Sequence, residues 1–185
     1  MGHRSNVLYA KSVAALERPK QSWPRWLVTG FGLGYLRPAP GSWGTAGPAV
    51  VFWLMLVYRV GAVTRNAVCA AVALVAGVVL ILLGRWACAW FGKPDPGQVV
   101  LDEFSGFFIS CMFLPIPAFA RHGVWGAWLF TAIIYVLFRF TDTMKIPPGR
   151  QLEQLPFGWG ILLDDIAAGI QANLVLQVAF RVIHW

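Results

Sequence analysis

The run NAVCAAVALVAGVVLILLG, residues 66–84, holds nineteen residues and not one charge. That is close to the roughly 20 apolar residues needed to cross a bilayer core. Four further apolar stretches lie near 46–58, 104–120, 123–138 and 166–180, and the short segments between them carry nearly all of the charge. The pattern predicts an all-α, polytopic membrane bundle of about five helices. Several stretches are short for a crossing, so Arg59, Arg85, Arg139 and Arg181 at their ends would have to snorkel, or some helices would be half-embedded. Pro115 and Pro117 should end the third helix early, and Pro147 with Pro148 should stop the fourth.

The composition of the 185 residues agrees: 58% are hydrophobic, 15% aromatic and 12% charged, and the mean hydropathy is +0.63. These values exclude a disordered chain and an ordinary soluble enzyme. The length suits one domain, taken as residues 26–185, behind a basic tail at 1–25. The tail has no apolar core of signal-peptide length and reads as cytoplasmic. The formal charge of +7 suits anionic phospholipid better than nucleic acid in so apolar a chain. Cys69, Cys88 and Cys111 sit in apolar runs without a CxxC pair and read as buried small hydrophobes.

Cation distribution sets an orientation, because Lys- and Arg-rich short loops stay in the cytoplasm. With the N-terminus inside and five crossings, eleven cations fall on the cytoplasmic side, namely Arg4, Lys11, Arg18, Lys20, Arg25, Arg37, Arg85, Lys93, Arg139, Lys145 and Arg150. Only Arg59, Arg65, Arg121 and Arg181 fall outside. The same alternation brings Asp102, Glu103, Asp142, Asp164 and Asp165 to the cytoplasmic face. Clustered carboxylates near hydrocarbon need cations or a metal. An all-oxygen donor set suits Mg²⁺, which takes one or two carboxylates and leaves other positions to water and phosphate. The plainer reading is helix capping, which would explain Asp102 and Asp164 but not Asp142 at a C-terminal end.

The stretch Thr29–Gly47, TGFGLGYLRPAPGSWGTAG, holds six glycines ahead of the first apolar helix. It could cradle a phosphate with Arg37 as charge partner, or simply serve as a packing loop. It matches neither the Walker nor the dinucleotide fingerprint. His3, His122 and His184 lie away from the acids, which argues against a histidine-based lipid phosphatase; cysteine-phosphatase and haloacid-type DxD patterns are also absent. Metal-assisted chemistry on phosphate is what remains. Arg139 and Lys145 flank Asp142 and either neutralise the carboxylates or bind a phosphomonoester.

Three blocks, GFGLGYLRPAPGSWGT at 30–45, LDEFSGFF at 101–108, and FRFTDTMK at 138–145 continuing to GWGILLDDIAAG at 158–169, together resemble the A-type phosphatidylglycerophosphatases. The loop Lys145-Ile146-Pro147-Pro148-Gly149 departs from the Lys-Pro-x-Pro-Ile run usual in that family. The resemblance implies a Mg²⁺-dependent phosphomonoester hydrolase of bacterial phospholipid biosynthesis. Its substrate would be phosphatidylglycerol phosphate, met among the phospholipids of the inner membrane at the cytoplasmic surface. In that reading Asp102, Asp142, Asp164 and Asp165, with Glu103, hold Mg²⁺ directly or through water, and one acid serves as general base. Arg37, Ser42, Thr45, Arg139 and Lys145 would bind the phosphate oxygens. Attack by water and attack by an aspartate both stay open, and oligomeric state is not legible. The competing class is a small cation transporter that uses the acids as an ion site.

Overall fold

The computed structural model describes residues 11–121, 123–152 and 155–182, and no strand occurs among them. Five substantial helices carry the architecture: α1 (Pro40–Val57), α2 (Ala62–Phe91), α3 (Leu101–Cys111), α4 (Gly123–Met144) and α5 (Gly158–Val182). Consecutive members run in opposite directions, with α3 at the centre packed against the other four. One-turn helices at Pro24–Val28, Ala118–Arg121 and Gly149–Leu152 and a 3₁₀ turn at Leu33–Tyr35 fill the connections.

The helix count matches the sequence reading, but helices reach past their apolar runs, furthest at four ends. α2 runs past Arg85 to Phe91, because Ala87 and Cys88 bury one face while Arg85 stays exposed. α4 continues through Arg139 and Asp142 to Met144. α5 begins at Gly158, so Asp164 stands in its second turn and cannot cap it. α1 begins at Pro40, which places Gly41, Ser42, Gly44, Thr45 and Gly47 inside a helix and ends the glycine-rich loop at Ala39. α3 stops at Cys111 ahead of Pro115 and Pro117, as expected.

By length and composition α2, α4 and α5 can cross a membrane. α3, with 11 residues, is only about 16 Å long and cannot. Its early end leaves carbonyls inside the bundle. The Asn173 amide of α5 donates to the carbonyls of Ile109, Ser110 and Met112, and Gln177 donates to those of Met112 and Phe113. Exposed aromatics gather at both ends, Trp23, Trp26, Tyr35 and Trp43 at one and Tyr58, Phe113 and Trp125 at the other, as they do where a protein meets lipid headgroups.

Phe52, Phe107 and Phe138 are fully buried and pack edge to face in the main core. A second cluster joins Val13 and Val28 to Ala76, Leu80 and Leu162, and Arg18 lies 4.3 Å from the Trp90 ring. The last part of the basic tail is therefore packed onto the bundle; residues 1–10 lie outside the described residues.

Small residues set the crossing of α3 and α5. A Cβ on Gly169 would strike the Gly106 carbonyl, and one on Gly106 would come within 2.6 Å of the Asp165 carbonyl. α2 and α5 meet in the same manner at Gly84 and Gly158. Gly169→Val should lower stability by about 1–3 kcal/mol through overpacking. Gly61→Ala, where the added methyl meets nothing within 4 Å, should stay within about 0.5 kcal/mol. Thermal unfolding in detergent reads both.

Candidate active site

The antiparallel order brings the N-termini of α1, α3 and α5 and the C-termini of α2 and α4 to one end of the bundle. All five acids singled out in the sequence are there. Asp102 and Glu103 occupy the first turn of α3, Asp142 the last turn of α4, and Asp164 and Asp165 the second turn of α5. Asp165 is within electrostatic range of Asp102, Glu103, Asp142 and Asp164. Asp102 does not cap α3: the cap position is Val100, which makes no side-chain bond.

Three of the five acids are satisfied by cations. Arg139 of α4 donates to Glu103 and lies 3.0 Å from Asp142. Lys145 donates to Asp164 at 3.2 Å; its φ of 45° is a left-handed conformation that is unfavourable for a residue with a Cβ. The hydroxyl of Thr45, fully buried in α1, lies 2.7 Å from the Glu103 carboxylate and 3.0 Å from the Gly41 carbonyl of its own helix, so its one proton is shared between them. Gly41 has no room for a Cβ because Glu103 and Arg139 fill that space. Tyr135, one turn before Arg139, donates to the Ser42 carbonyl at 3.0 Å and ties α4 to α1.

The remaining two acids differ. Asp102 Oδ1 and Asp165 Oδ2 are buried without a hydrogen-bond partner, although Asp165 is only 4% exposed. An unpaired buried carboxylate oxygen is costly. Burial, then the charges of Glu103 and Asp95, push the Asp102 carboxyl well above the usual range. Burial also pushes Glu103 up to about 7, against the pull of Arg139.

Two such oxygens fit a hard divalent cation. No group of three acids, cysteines or histidines among the described residues forms a ready-made metal cage, so any ion here would complete its shell with water or substrate oxygens. The phosphate-binding candidates scatter. Arg139, Lys145 and Thr45 are engaged with carboxylates, Ser42 is half-buried at the start of α1, and Arg37 is exposed in the loop before it. Asp95, in the Lys93-Pro94-Asp95-Pro96 turn, is a sixth acid within range of Asp102. Its place seven residues before Asp102, in a short turn leading to the acid end, was the signal in the sequence. The three histidines lie outside the described residues.

The sequence profile of the PgpA family, described as phosphatidylglycerophosphatase A, matches residues 26–180. A phosphatidylglycerophosphatase A from Haemophilus influenzae is 32% identical over 164 residues, covering 86% of this chain and 88% of the relative. One from Escherichia coli is 31% identical over 178 residues, covering 92% and 91%. A Bacteroides thetaiotaomicron protein, provisionally named a phosphatidylinositol-3-phosphatase, is 30% identical over 164 residues, covering 86% and 95%. No solved structure matches.

Arg139→Gln leaves Glu103 and Asp142 buried without their cation and should cost roughly 3 kcal/mol. Adding Glu103→Gln to it should restore part of that loss, because one of the stranded charges is gone. Equal and additive losses in a double-mutant cycle of thermal unfolding would mean that the pair is not coupled.

Proposed function

The chain belongs to the phosphatidylglycerophosphatase A family, and from that membership we propose that it hydrolyses the terminal phosphomonoester of phosphatidylglycerol phosphate to phosphatidylglycerol and inorganic phosphate, with Mg²⁺ as cofactor. It is a phosphoric monoester hydrolase of the membrane. The observation that carries the metal reading is the pair of buried, partnerless oxygens on Asp102 and Asp165. The pairing supports it: Arg139 and Lys145 are paired with Glu103, Asp142 and Asp164, which leaves the oxygens of Asp102 and Asp165 to a metal.

Asp102 and Asp165 would hold the ion, with Asp142, Asp164 and Glu103 around them. When bound, Mg²⁺ supplies positive charge to the phosphate oxygens and lowers the pKa of water. The protein's own part is positional. Arg139 fixes Glu103 and Asp142, and Lys145 fixes Asp164, so the carboxylates are held before substrate arrives. One aspartate oxygen accepts the proton of the attacking water; the phosphorus–oxygen ester bond breaks and the departing glycerol oxygen takes up a proton. Arg37 meets the phosphate from the loop, and Arg139 and Lys145 can share their remaining N–H donors with it.

We assign the acid end to the cytoplasm of a bacterial inner membrane. The cation count supports this, since Arg25, Arg37, Arg85, Lys93, Arg139, Lys145 and Arg150 all belong to that end. The acids stand at helix ends, not mid-span, which does not favour an ion pathway.

Phosphate release from phosphatidylglycerol phosphate in micelles should require Mg²⁺ and fall about a hundredfold or more in Asp165→Asn. Half of the activity surviving in that variant would remove Asp165 from the site. No release with any divalent ion would overturn the reading, and preferential release from phosphatidylinositol 3-phosphate would change the substrate. A phosphoenzyme trapped by rapid quench would replace water by an aspartate as nucleophile. Arg37→Ala should raise KM for the lipid more than it lowers kcat.

A further inference from the structure

The end of the bundle opposite the acids has its own charge problem. A cavity of about 690 Å³ opens there between the α1–α2 connection and the α3–α4 connection, and three arginines line it: Arg59, Arg65 and Arg121. None is paired with a carboxylate among the described residues. Arg65 is only 8% exposed; one of its N–H groups donates to the Val60 carbonyl at 3.2 Å. Arg121 uses its Nε–H on the Ile116 carbonyl at 3.0 Å. A buried guanidinium has five donors, and a single carbonyl leaves most of them and the whole charge uncompensated.

Two features concentrate the positive charge. The cavity reaches Ala62, the first residue of the 30-residue α2, whose N-terminus has neither a side-chain cap nor an acid in its first turn. Free N–H groups and the positive end of the helix dipole therefore face the same space. Arg59 follows α1 at the position where a helix normally ends on glycine: Val60 and Arg59 donate back to Met55 and Leu56, and Arg59 has a φ of 54°. A residue with a Cβ is unfavourable there by about 1–2 kcal/mol, yet the chain sets an arginine at the rim of the cavity. The remaining wall is apolar, including Leu56, Leu114 and Ile116.

We propose that this cavity is an anion site for a phosphate group, and that its apolar wall selects the phosphodiester headgroup of an anionic phospholipid on the face opposite the acids. Guanidinium forks and helix N–H groups match phosphate oxygens, while the glycerol and first methylenes of a lipid cover the leucine and isoleucine side chains. Free inorganic phosphate shares the recognised chemistry but would leave that wall wet. The proposal stands independently of the hydrolase reading, because no residue is shared between the two ends.

The test is thermal unfolding of the full chain in neutral detergent micelles, titrated separately with phosphatidylglycerol, phosphatidylcholine and inorganic phosphate, since a ligand that binds only the folded state raises Tm. Phosphatidylglycerol should raise Tm with saturation, and Arg59→Gln/Arg121→Gln, both at exposed residues, should raise the half-saturating concentration about tenfold or more. Arg65→Gln should abolish the shift if it folds. Arg37→Ala, altered at the acid end, should keep it. A shift produced equally by inorganic phosphate and lost in the arginine double variant would support the phosphate site with a free anion as its source. No shift with any of the three, or a shift that survives Arg59→Gln/Arg121→Gln but disappears in Arg37→Ala, would overturn the proposal.

Discussion

One guanidinium governs the acid end. Carboxylates at the edge of hydrocarbon are tolerated only when their charge is met, and Arg139 meets two, Glu103 from α3 and Asp142 from its own helix. Its reach sets the distance between α3 and α4. That distance requires α1 to come in without a side chain at Gly41 and lets Thr45 complete the hydrogen bonding of Glu103. With those groups satisfied, the cost of burial falls on Asp102 and Asp165, the two acids with unpartnered oxygens. The site is thus divided between carboxylates that build the scaffold and carboxylates left with unmet coordination.

Backbone proximity makes this division possible. Gly106 against Gly169, and Gly84 against Gly158, let three helices approach more closely than side chains would permit, as is usual where helices associate without a hydrophobic driving force between them. The crossing of α3 and α5 lies one turn below Asp102 and Glu103 and one turn below Asp165. Positions of acids on different helices are therefore fixed by rigid backbone contact and not by loops.

Helix number, the early end of α3 and the gathering of five acids were legible, because charge-free runs and prolines act locally. Helix ends were not. Hydropathy marks where apolar residues stop, whereas α4 extends through Arg139 and Asp142 and α5 starts ahead of Asp164 because Arg139 pairs with Asp142 on its own helix and with Glu103 of α3, and Asp164 pairs with Lys145 just past the end of α4. The same long-range pairing explains why Arg139, Lys145 and Thr45, read as phosphate ligands or neutralisers, turn out to bind carboxylates, and why Asp102 and Asp165 could not be singled out from their neighbours. The glycine-rich stretch was read as one loop; its second half is helical because the glycines at 41, 44 and 47 recur every third residue along a face packed against Glu103, Val100 and Leu33.

The amides of Asn173 and Gln177 act for the broken end of α3 as water would at the end of a soluble helix. Their two amide groups reach four carbonyls freed where α3 stops, those of Ile109, Ser110 and Met112 partly buried and that of Phe113 exposed. Polarity in the middle of α5 is therefore what makes this region compatible with lipid, and residue hydrophobicity and membrane compatibility run in opposite directions here. Evolution toward a greasier α5 would strand backbone carbonyls in oil, so drift at these two positions is confined to side chains that can still donate.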